Sequence, residues 1–510
     1  MDATGSGEVR PKVDCARRAV DASAAGMTAA APTHVDLLIV GAGLSGIGAA
    51  WHVQQRLPER SYAILEARDA IGGTWDLFRY PGVRSDSDMH TLGYGFRPWT
   101  GTQAIAAGGD ILNYIRDTAR EAGIDRHVRF GRRVTSARWC SDAARWTVEA
   151  VRAGGGAPEL FTCRWLHMCA GYYDYGAGHA PDFPDADSFR GRIVHPQFWP
   201  EELDVAGQHV AVIGSGATAV TLVPALAVRA AHVTMVQRSP SYILSLPTRD
   251  RAAAALRRLL PERAALKLIR WRNIVLGQIF YRYARAWPGA AARALVKAAA
   301  AELPRVDSSR HLTPSYRPWD QRLCLVPDGD LFAAIRAGRA SIATGAVERF
   351  TPEGLRLASG ETVRADLIVT ATGLSVRLLG GAALAVDGRS VDPAGRMIYK
   401  GLMFAGVPNL SFAFGYTNAS WTLKADLGAA FLCRLLARMA RKGARIAMPR
   451  ADPDMAARPF VDFTSSYIER ARDRLPKQGA RAPWRLHQNY TLDLLALRFG
   501  RLEDGVLELR

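Results

Sequence analysis

The chain has 510 residues, 48% of them hydrophobic, which is enough for two to four domains or two large ones with substantial cores. Its 66 Lys and Arg residues exceed its 48 Asp and Glu residues, giving a formal net charge of +18. These basic residues are dispersed and no nucleic-acid-binding motif accompanies them, so nucleic acid is not expected as a partner. The six cysteines form no C-x-x-C pair, which argues against a zinc site, a redox dithiol and a disulfide framework, and no metal is expected.

The N-terminal residues 1–33 are rich in Ala, Gly and charged residues and have no hydrophobic periodicity. We predict a disordered extension here. Arg17-Arg18 is followed by no apolar segment of the kind that a signal peptide needs. No apolar run elsewhere approaches the about 20 residues that span a bilayer. We therefore expect a cytoplasmic protein.

The first predicted βαβ unit begins with the apolar segment Val35–Val40 and continues with Gly41-Ala-Gly43-Leu-Ser-Gly46. In this fingerprint the first glycine makes a tight turn, the second lets backbone N–H groups approach a pyrophosphate, and the third packs the following helix on the strand. A second strand, Tyr62–Leu65, ends at Glu66, twenty residues after Gly46. A carboxylate there accepts hydrogen bonds from ribose hydroxyls. The unit predicts a dinucleotide site.

A second unit repeats this pattern. The strand His209–Ile213 leads into Gly214-Ser215-Gly216-Ala-Thr218-Ala219 and a helix, and the next strand, His232–Gln237, ends at Arg238-Ser239. An acidic ribose reader is missing here, and Arg occupies its place. Because a guanidinium binds a 2′-phosphate that a carboxylate would repel, this site is predicted to prefer NADPH over NADH. Two nucleotide sites in one chain imply electron transfer between two bound nucleotides.

Further predicted elements suggest how the two units are joined. The strands Trp165–Cys169 and Asp366–Thr370 resemble those that link the FAD and NADPH domains of two-dinucleotide flavoproteins. A strand at Leu410–Tyr416 and a helix at Ser420–Arg438 follow the second unit. The order predicts an α/β fold in which a Rossmann-like NADPH domain is inserted into a Rossmann-like FAD domain. The predicted boundaries are an extension over 1–33, FAD-domain parts over 34–172 and 376–510, and an NADPH domain over 173–375 with a helical insertion over 245–305.

Residues 251–300 predict helices that carry eleven Lys or Arg residues and one acid, Glu262. Two interpretations stay open. The segment is either a membrane-surface or substrate-entry element, or a basic helical subdomain that packs on the NADPH domain.

Four motifs give the chain a family resemblance. They are Gly72-Gly-Thr74-Trp75 with the run Arg79-Tyr-Pro-Gly-Val-Arg-Ser-Asp86 that follows it, Phe189-Arg-Gly191-Arg-Ile-Val-His195-Pro-Gln-Phe-Trp199-Pro200, Trp319-Asp-Gln321-Arg322, and Gly415-Tyr-Thr-Asn-Ala-Ser-Trp421-Thr-Leu-Lys424. From Val35 to about Leu435 the sequence resembles the type I Baeyer–Villiger flavin monooxygenases, and among them the ethionamide-activating ones. In related N- or S-oxygenating flavin monooxygenases, Tyr or Phe followed by Lys stands where this chain has Trp199-Pro200.

The resemblance implies FAD and NADPH as cofactors, and O₂ and a small ketone as substrates. In this family one oxygen atom of O₂ is inserted into the ketone through a C4a-peroxyflavin, which yields an ester or lactone. The same chemistry extends to the sulfur of sulfides and thioamides. Oligomeric state and physiological substrate are not readable from the sequence.

The resemblance also implies residue roles. Arg322 is the fixed cation beside the reactive oxygen, because Arg does not lose its proton, and Asp86 is the carboxylate that holds it. Ser45 lies on the pyrophosphate, Thr74 and Trp75 line the flavin, and Val134, in a predicted strand Val128–Ala137, touches adenine through its backbone.

Four residues of the motif over 189–200 are interpreted as coupling NADPH binding to domain rotation, not as acid–base groups: Phe189, Gly191, His195 and Trp199. Family members that hold the 2′-phosphate tightly often carry Lys where this chain has Gln321, so Arg238 and Ser239 would bind that phosphate alone.

Three alternatives compete with this interpretation. A flavin-containing N/S-monooxygenase is disfavoured by Trp199-Pro200 and Arg322. A disulfide reductase is disfavoured because no redox Cys pair follows either fingerprint. A basic membrane-associated or nucleic-acid-binding protein with a decayed flavoprotein fold is disfavoured because the glycines of both fingerprints are intact.

Overall fold

A computed structural model of the protein describes residues 31–510. The predicted extension, except for its last three residues, lies outside the described part of the chain. The first strand, Thr33–Val40, begins inside the predicted extension. Among the residues that the structure describes, no helix combines the length and the apolar character needed to cross a membrane.

The larger of two main sheets has nine strands. Eight of them follow in the spatial order Arg389–Val391, Ala383–Val386, Arg132–Cys140, Arg145–Arg152, Glu159–Met168, Thr33–Val40, Tyr62–Leu65, Val128–Arg129, and the ninth, Leu410–Phe412, pairs with Glu159–Met168. Alternate residues of the central strand face opposite cores: Leu37 and Ile39 face one, Leu38 and Val40 the other. Both faces of this sheet are therefore covered, as is usual for parallel strands.

Three helices cover one face of this sheet: Leu44–Arg56, Gly108–Glu121 and Trp421–Lys442. Their apolar residues join one core with the strands, including Ile47, Ile111 and Leu427. A helix from the C-terminal part of the chain thus packs on the helix that follows the first fingerprint.

The second main sheet consists of five parallel strands in the spatial order Ala340–Thr344, His232–Gln237, His209–Ile213, Leu367–Thr370, Arg192–Val194. The helices Ala217–Leu226 and Asp330–Arg336 cover one face of it. A three-stranded antiparallel sheet, Val347–Thr351, Gly354–Leu357 and Thr362–Arg364, covers the other.

The chain passes between the two main sheets through an antiparallel strand pair, Tyr173–Gly178 with Leu374–Val376. After this pair, the strands Ala383–Val386, Arg389–Val391 and Leu410–Phe412 return to the larger sheet. One Rossmann-like unit is therefore inserted into another, and the predicted fold class is confirmed. The boundaries given from the sequence stay predictions.

Several predicted strands match the structure and one is wrong. Tyr62–Leu65, His209–Ile213 and His232–Gln237 have the predicted bounds. The predicted strand Val128–Ala137 is two strands, because Gly131 lies in the left-handed region (φ +65°) and turns the chain. The part before the turn pairs with Tyr62–Leu65, and the part after it pairs with Arg145–Arg152.

The basic region 251–300 is helical, as predicted. Its helices are Arg251–Leu259, Glu262–Ala286 and Pro288–Glu302. The long middle helix is held to the larger unit by Arg270, whose Nη1 donates to the carbonyl oxygens of His90 (2.8 Å) and Gly93 (2.7 Å). Farther along, Arg285 pairs with Asp320 at 2.5 Å.

The remaining elements are short. The helices are Thr74–Leu77, Met89–Leu92, Ser308–His311, Ser466–Ala471 and Tyr490–Leu494, the last continuing as a π-helical turn over Leu495–Phe499. The paired strands are Ile243–Leu246 with Cys324–Pro327, Ile398–Tyr399 with Met403–Phe404, Ala447–Pro449 with Leu507–Leu509, and Ala457–Pro459 with Lys477–Gly479. Single 3₁₀ turns are Asp125–His127, Ala186–Ser188, Pro196–Phe198, Leu378–Gly381 and Arg472–Arg474.

Candidate active site

A cavity of about 1200 Å³ lies between the two Rossmann-like units, where the fingerprint turns of both sheets meet. Most of the predicted cofactor and catalytic residues line it: Gly41, Gly43, Ser45, Glu66, Thr74, Trp75, Asp86, Val134, Gly214, Ser215, Gly216, Thr218, Arg238, Ser239 and Arg322. The structure therefore brings both fingerprints and the predicted catalytic pair to one space. Crevices at the carboxyl ends of parallel strands are the usual ligand sites of such folds.

The turn of the first fingerprint leaves room that only glycine provides. Gly41 has φ +105°, and a Cβ on Gly46 would overlap the Gly41 carbonyl oxygen, so Gly46 packs helix on strand and does not line the cavity. Gly43 faces Gly73, and a Cβ on Gly73 would lie 2.9 Å from the Gly43 Cα. The helix Leu44–Arg56 starts at this place without a side-chain cap. Its free N–H groups and the facing glycines suit a pyrophosphate.

Glu66 is fixed at the end of the second strand. It is 5% exposed, its Oε2 accepts the Ala42 N–H at 2.7 Å, and its Oε1 accepts the Arg68 N–H at 2.9 Å. Burial raises the pKa of this carboxyl, against the lowering effect of those N–H groups. Each oxygen keeps a second lone pair, so acceptance from a ribose hydroxyl is compatible with this arrangement.

The side chains predicted to contact the flavin have partners from distant parts of the chain. Trp421 Nε1 donates to Ser45 Oγ at 2.7 Å, and the Thr74 hydroxyl lies 3.3 Å from that of Tyr175. Both partners line the cavity, and neither was predicted as a site residue. Trp421 belongs to a motif that carried the family resemblance, which was the available signal for it.

The second fingerprint is more open toward the cavity. Gly214 has φ +142°, and a Cβ there would overlap the Ala371 carbonyl oxygen, whereas a Cβ on Gly216 would meet no atom within 4 Å. Ser215 Oγ donates to the Ser239 carbonyl oxygen at 2.9 Å. Ala219, predicted to bind NADP, is fully buried in the core of its unit and does not line the cavity.

Arg238 is the exposed cation at the edge of the second fingerprint. It follows the strand His232–Gln237 directly, and within residues 31–510 it makes no ion pair. Gln321 also lines the cavity. It stands at the position where a Lys would be expected to bind the 2′-phosphate more tightly. The arrangement leaves the guanidinium available to an anionic ligand.

Arg322 and Asp86 form the charged pair that the resemblance implied. Arg322 Nη1 donates to Asp86 Oδ2 at 2.5 Å, and Nη2 lies 3.4 Å from the Tyr416 carbonyl oxygen. The Asp86 carboxylate raises the pKa of Arg322. The side chains of Arg322 and Asp86 are 32% and 37% exposed, so the intact ion pair faces the open cavity.

Three tyrosines surround this pair: Tyr172, Tyr173 and Tyr467. The hydroxyls of the first two lie 2.6 Å apart, and burial raises the pKa of all three phenols. Tyr172 and Tyr173 follow shortly after the predicted strand Trp165–Cys169, whereas no motif pointed to Tyr467. The guanidinium therefore shares the cavity wall with three phenol side chains.

The fingerprint over 189–200 lies beside the link between the units and not in the cavity. The residues that line the cavity do not include Phe189, Gly191, His195 or Trp199. His195 Nε2 lies 3.3 Å from the Gly373 carbonyl oxygen, and its Nδ1 accepts the Gln197 N–H at 3.2 Å. Burial lowers the pKa of His195.

The other residues of this fingerprint also make contacts within the inserted unit. Phe189 packs edge-on against Phe350 at 6.2 Å, and a Cβ on Gly191 would overlap the Asp366 carbonyl oxygen. Trp199 packs on the core of the inserted unit. These contacts are compatible with domain coupling, which stays a prediction.

Comparisons with known proteins agree with this geometry. Residues 39–103 match the family described as NAD(P)-binding Rossmann-like domain, and residues 105–253 match the family described as flavin-binding monooxygenase-like. Among solved structures, ε-caprolactone-bound cyclohexanone monooxygenase has a TM-score of 0.73 at 21% identity and covers 94% of this chain and 100% of its own. Cyclohexanone monooxygenase from Rhodococcus sp. Phi1 bound to NADP⁺ has a TM-score of 0.68 at 22% identity, covering 83% and 87%. At these identities the likeness shows a shared fold.

Sequence relatives are much closer. The FAD-containing monooxygenase EthA of Mycobacterium tuberculosis (strain ATCC 25618 / H37Rv) is 52% identical over 474 residues, which are 92% of this chain and 96% of EthA. The putative FAD-containing monooxygenase MymA of the same strain is 49% identical over 480 residues, covering 93% and 97%. With identity at this level over nearly the whole of each chain, this protein belongs to the family of FAD-containing monooxygenases that includes EthA and MymA.

Proposed function

We propose that the protein is an FAD- and NADPH-dependent Baeyer–Villiger monooxygenase that converts ketones into esters or lactones. The observation that carries this proposal is the Arg322–Asp86 pair facing a cavity that both dinucleotide fingerprints share. The fingerprint ending in Trp199-Pro200 and the fold shared with cyclohexanone monooxygenases support the same reaction.

The chain's residues fit both cofactors. The facing backbones of Gly43 and Gly73 leave the space that a pyrophosphate needs, and Glu66 stands ready for the adjacent ribose. Ser45, Thr74, Trp75, Asp86 and Val134 are proposed to complete the FAD site. On the inserted unit, Gly214, Ser215, Gly216 and Thr218 are proposed to hold the NADPH phosphates, with Arg238 and Ser239 at the 2′-phosphate.

The overall reaction consumes one ketone, one O₂, one NADPH and one proton, and yields one ester, one water and NADP⁺. When bound and reduced by NADPH, FAD would supply the activation of O₂. Arg322 supplies a permanent positive charge where negative charge develops on the attacking oxygen and then on the carbonyl oxygen. Asp86 fixes the direction of the guanidinium and offsets the cost of holding a cation inside the protein.

The second candidate is S-oxygenation of sulfides and thioamides. This reaction needs the same cofactors, but no carbon substituent migrates to oxygen in it. A flavin-containing N/S-monooxygenase without ketone activity is the alternative to the proposal as a whole. Product identity separates the two, because only a Baeyer–Villiger enzyme makes esters or lactones from ketones.

The test is NADPH consumption by the FAD-loaded protein with a panel of cyclic and linear ketones and sulfides, with products identified by mass spectrometry. We expect ester or lactone from at least one ketone. Arg322→Ala should keep its FAD and still oxidise NADPH, but its ester formation should fall by about 10²–10³-fold. Arg310→Ala, which removes an exposed Arg paired with Glu361 outside the cavity, is the matched control. Sulfoxide formation with no ester from any ketone would favour the alternative, and ester formation by Arg322→Ala at the control's rate would refute the role given to Arg322.

Peripheral membrane association through residues 251–300 and a cytoplasmic location stay predictions from the sequence.

A further inference from the structure

Exposed apolar side chains are concentrated on one side of the protein. Within residues 31–510, twelve of the sixteen large hydrophobic side chains that are exposed lie in two segments, 259–287 and 492–499. Isolated exposed hydrophobic residues are common on soluble proteins, but a concentration of this kind marks an interaction surface.

The first segment presents an ordered stripe. Leu268, Trp271, Val275 and Ile279 follow each other at spacings of three, four and four residues, which places them on one face of the helix Glu262–Ala286. Each is between 43% and 58% exposed.

The stripe belongs to a firmly packed helix. Ala265 and Ile269 of the same helix are fully buried, and the Arg270 guanidinium is bonded to carbonyl oxygens of the larger unit. The exposed face is therefore a fixed surface.

The second segment extends this surface. The Trp271 ring contacts Tyr490 edge-on at 5.8 Å, and Gln278 Nε2 lies 3.3 Å from the Thr491 hydroxyl. The side chains that follow, Leu492, Leu495 and Phe499, are 43–67% exposed. The two segments thus form one continuous apolar surface, here called the 268–279/492–499 surface.

Unpaired positive charges border this surface. Within the described part of the chain, Arg263, Lys267, Arg282 and Arg498 make no ion pair. Both acidic residues of these segments are in ion pairs: Glu262 pairs with Arg257, and Asp493 is buried against Lys424.

We infer that the 268–279/492–499 surface docks the enzyme on the face of an anionic lipid bilayer. Apolar side chains, an exposed Trp and basic residues on one helix face are the combination by which a helix lies in the headgroup region of a membrane. A second copy of this chain fits less well, because a symmetric contact would bring the unpaired basic residues of both copies together. The docking site is therefore one helix face within the basic region 251–300 together with the C-terminal segment 492–499. Membrane docking through it does not depend on the ketone chemistry.

The test is sedimentation of the FAD-loaded full-length protein with vesicles of phosphatidylcholine alone or with 30 mol% phosphatidylglycerol added. We expect binding to the anionic vesicles at low salt and release as ionic strength rises, since charges are screened within about 10 Å at 0.1 M salt. Two variants separate the contributions. Lys267→Glu/Arg282→Glu should weaken partitioning by on the order of tenfold or more, and Val275→Ser/Ile279→Ser should weaken it at every salt concentration.

Val228→Ser/Arg364→Glu is the matched control, because it changes an exposed apolar and an exposed basic side chain outside the surface. All variants should keep the FAD content and NADPH oxidation of the parent. Equal sedimentation of the parent with and without anionic vesicles would overturn the inference. So would a parent dimer in light scattering that becomes monomeric in Val275→Ser/Ile279→Ser without any vesicle binding, since the surface would then join two copies.

Discussion

The buried ion pair between Lys424 and Asp493 offers a prediction whose size follows from the structure. Lys424 Nζ lies 2.8 Å from Asp493 Oδ2, and the side chains are 6% and 7% exposed. Tyr416 donates its hydroxyl to the same carboxylate oxygen at 2.7 Å, and its carbonyl oxygen faces Arg322. The pair joins the helix Trp421–Lys442 to the C-terminal segment just behind the proposed catalytic Arg.

Lys424→Met should destabilise the protein strongly. The variant leaves the Asp493 carboxylate buried with one phenol donor, and breaking a buried pair in this way costs about 3–5 kcal/mol. Unfolding entropy of about 2.1 cal/mol/K per residue, summed over a chain of this length, is roughly 1 kcal/mol/K. The loss therefore corresponds to about 3–5 °C in the melting temperature if the chain unfolds as one unit.

The double variant Lys424→Met/Asp493→Asn should recover most of this loss, because an amide keeps the acceptor for Tyr416 and carries no charge. The assay is thermal unfolding of the FAD-loaded proteins, followed by circular dichroism and by flavin fluorescence, with hydrogen exchange of the 486–499 segment. A single variant that melts within 1 °C of the parent, with unchanged exchange in that segment, would refute the reasoning. So would a double variant as unstable as the single one.

Three further changes test other parts of the protein. Gly43→Val should abolish FAD retention, because its γ-carbons would occupy the space facing Gly73; a purified variant with the parent's flavin-to-protein absorbance ratio would show that the first fingerprint is misassigned. Arg238→Ala should raise the KM for NADPH by about tenfold and leave that for NADH nearly unchanged, since only NADPH carries the 2′-phosphate; equal weakening of both would make Arg238 structural. Burial lowers the pKa of His167 to about 4, so the unfolded chain takes up a proton below about pH 6.5 that the folded chain does not, and stability should fall as the pH drops from 6.5 toward 4. His167→Asn should reduce the melting-temperature difference between pH 7.5 and pH 5, and an unchanged difference would contradict this.

The local parts of the fold were predictable, because hydrophobic runs and glycine turns are local signals. The strand Tyr62–Leu65 and the turns at Gly41 and Gly214 needed only a few neighbouring residues to be identified. The break at Gly131 was missed because a strand lies on each side of it, Val128–Arg129 and Arg132–Cys140, and the two differ only in their pairing partners.

The composition of the site was less predictable, since distant segments complete it. Tyr467 reaches Arg322 from a C-terminal segment that carries no motif, and the bond from Trp421 to Ser45 joins positions 376 residues apart. Ala219 belongs to a fingerprint yet faces the core, because a helix presents only part of its first turn to the ligand. The motifs located the cavity, and only the tertiary packing determined which side chains form its walls.

The insertion of one unit into the other has a consequence for biosynthesis. All strands of the inserted parallel sheet lie between Arg192 and Thr370. The larger sheet and its cover of helices are complete only after Leu410–Phe412 and the helix Trp421–Lys442 have been synthesised. Because domains fold as their residues become available during translation, the inserted unit can close while the ribosome is still synthesising the outer one. We expect the nascent chain to acquire its NADPH-binding unit first and its flavin last, once nearly the whole polypeptide has emerged.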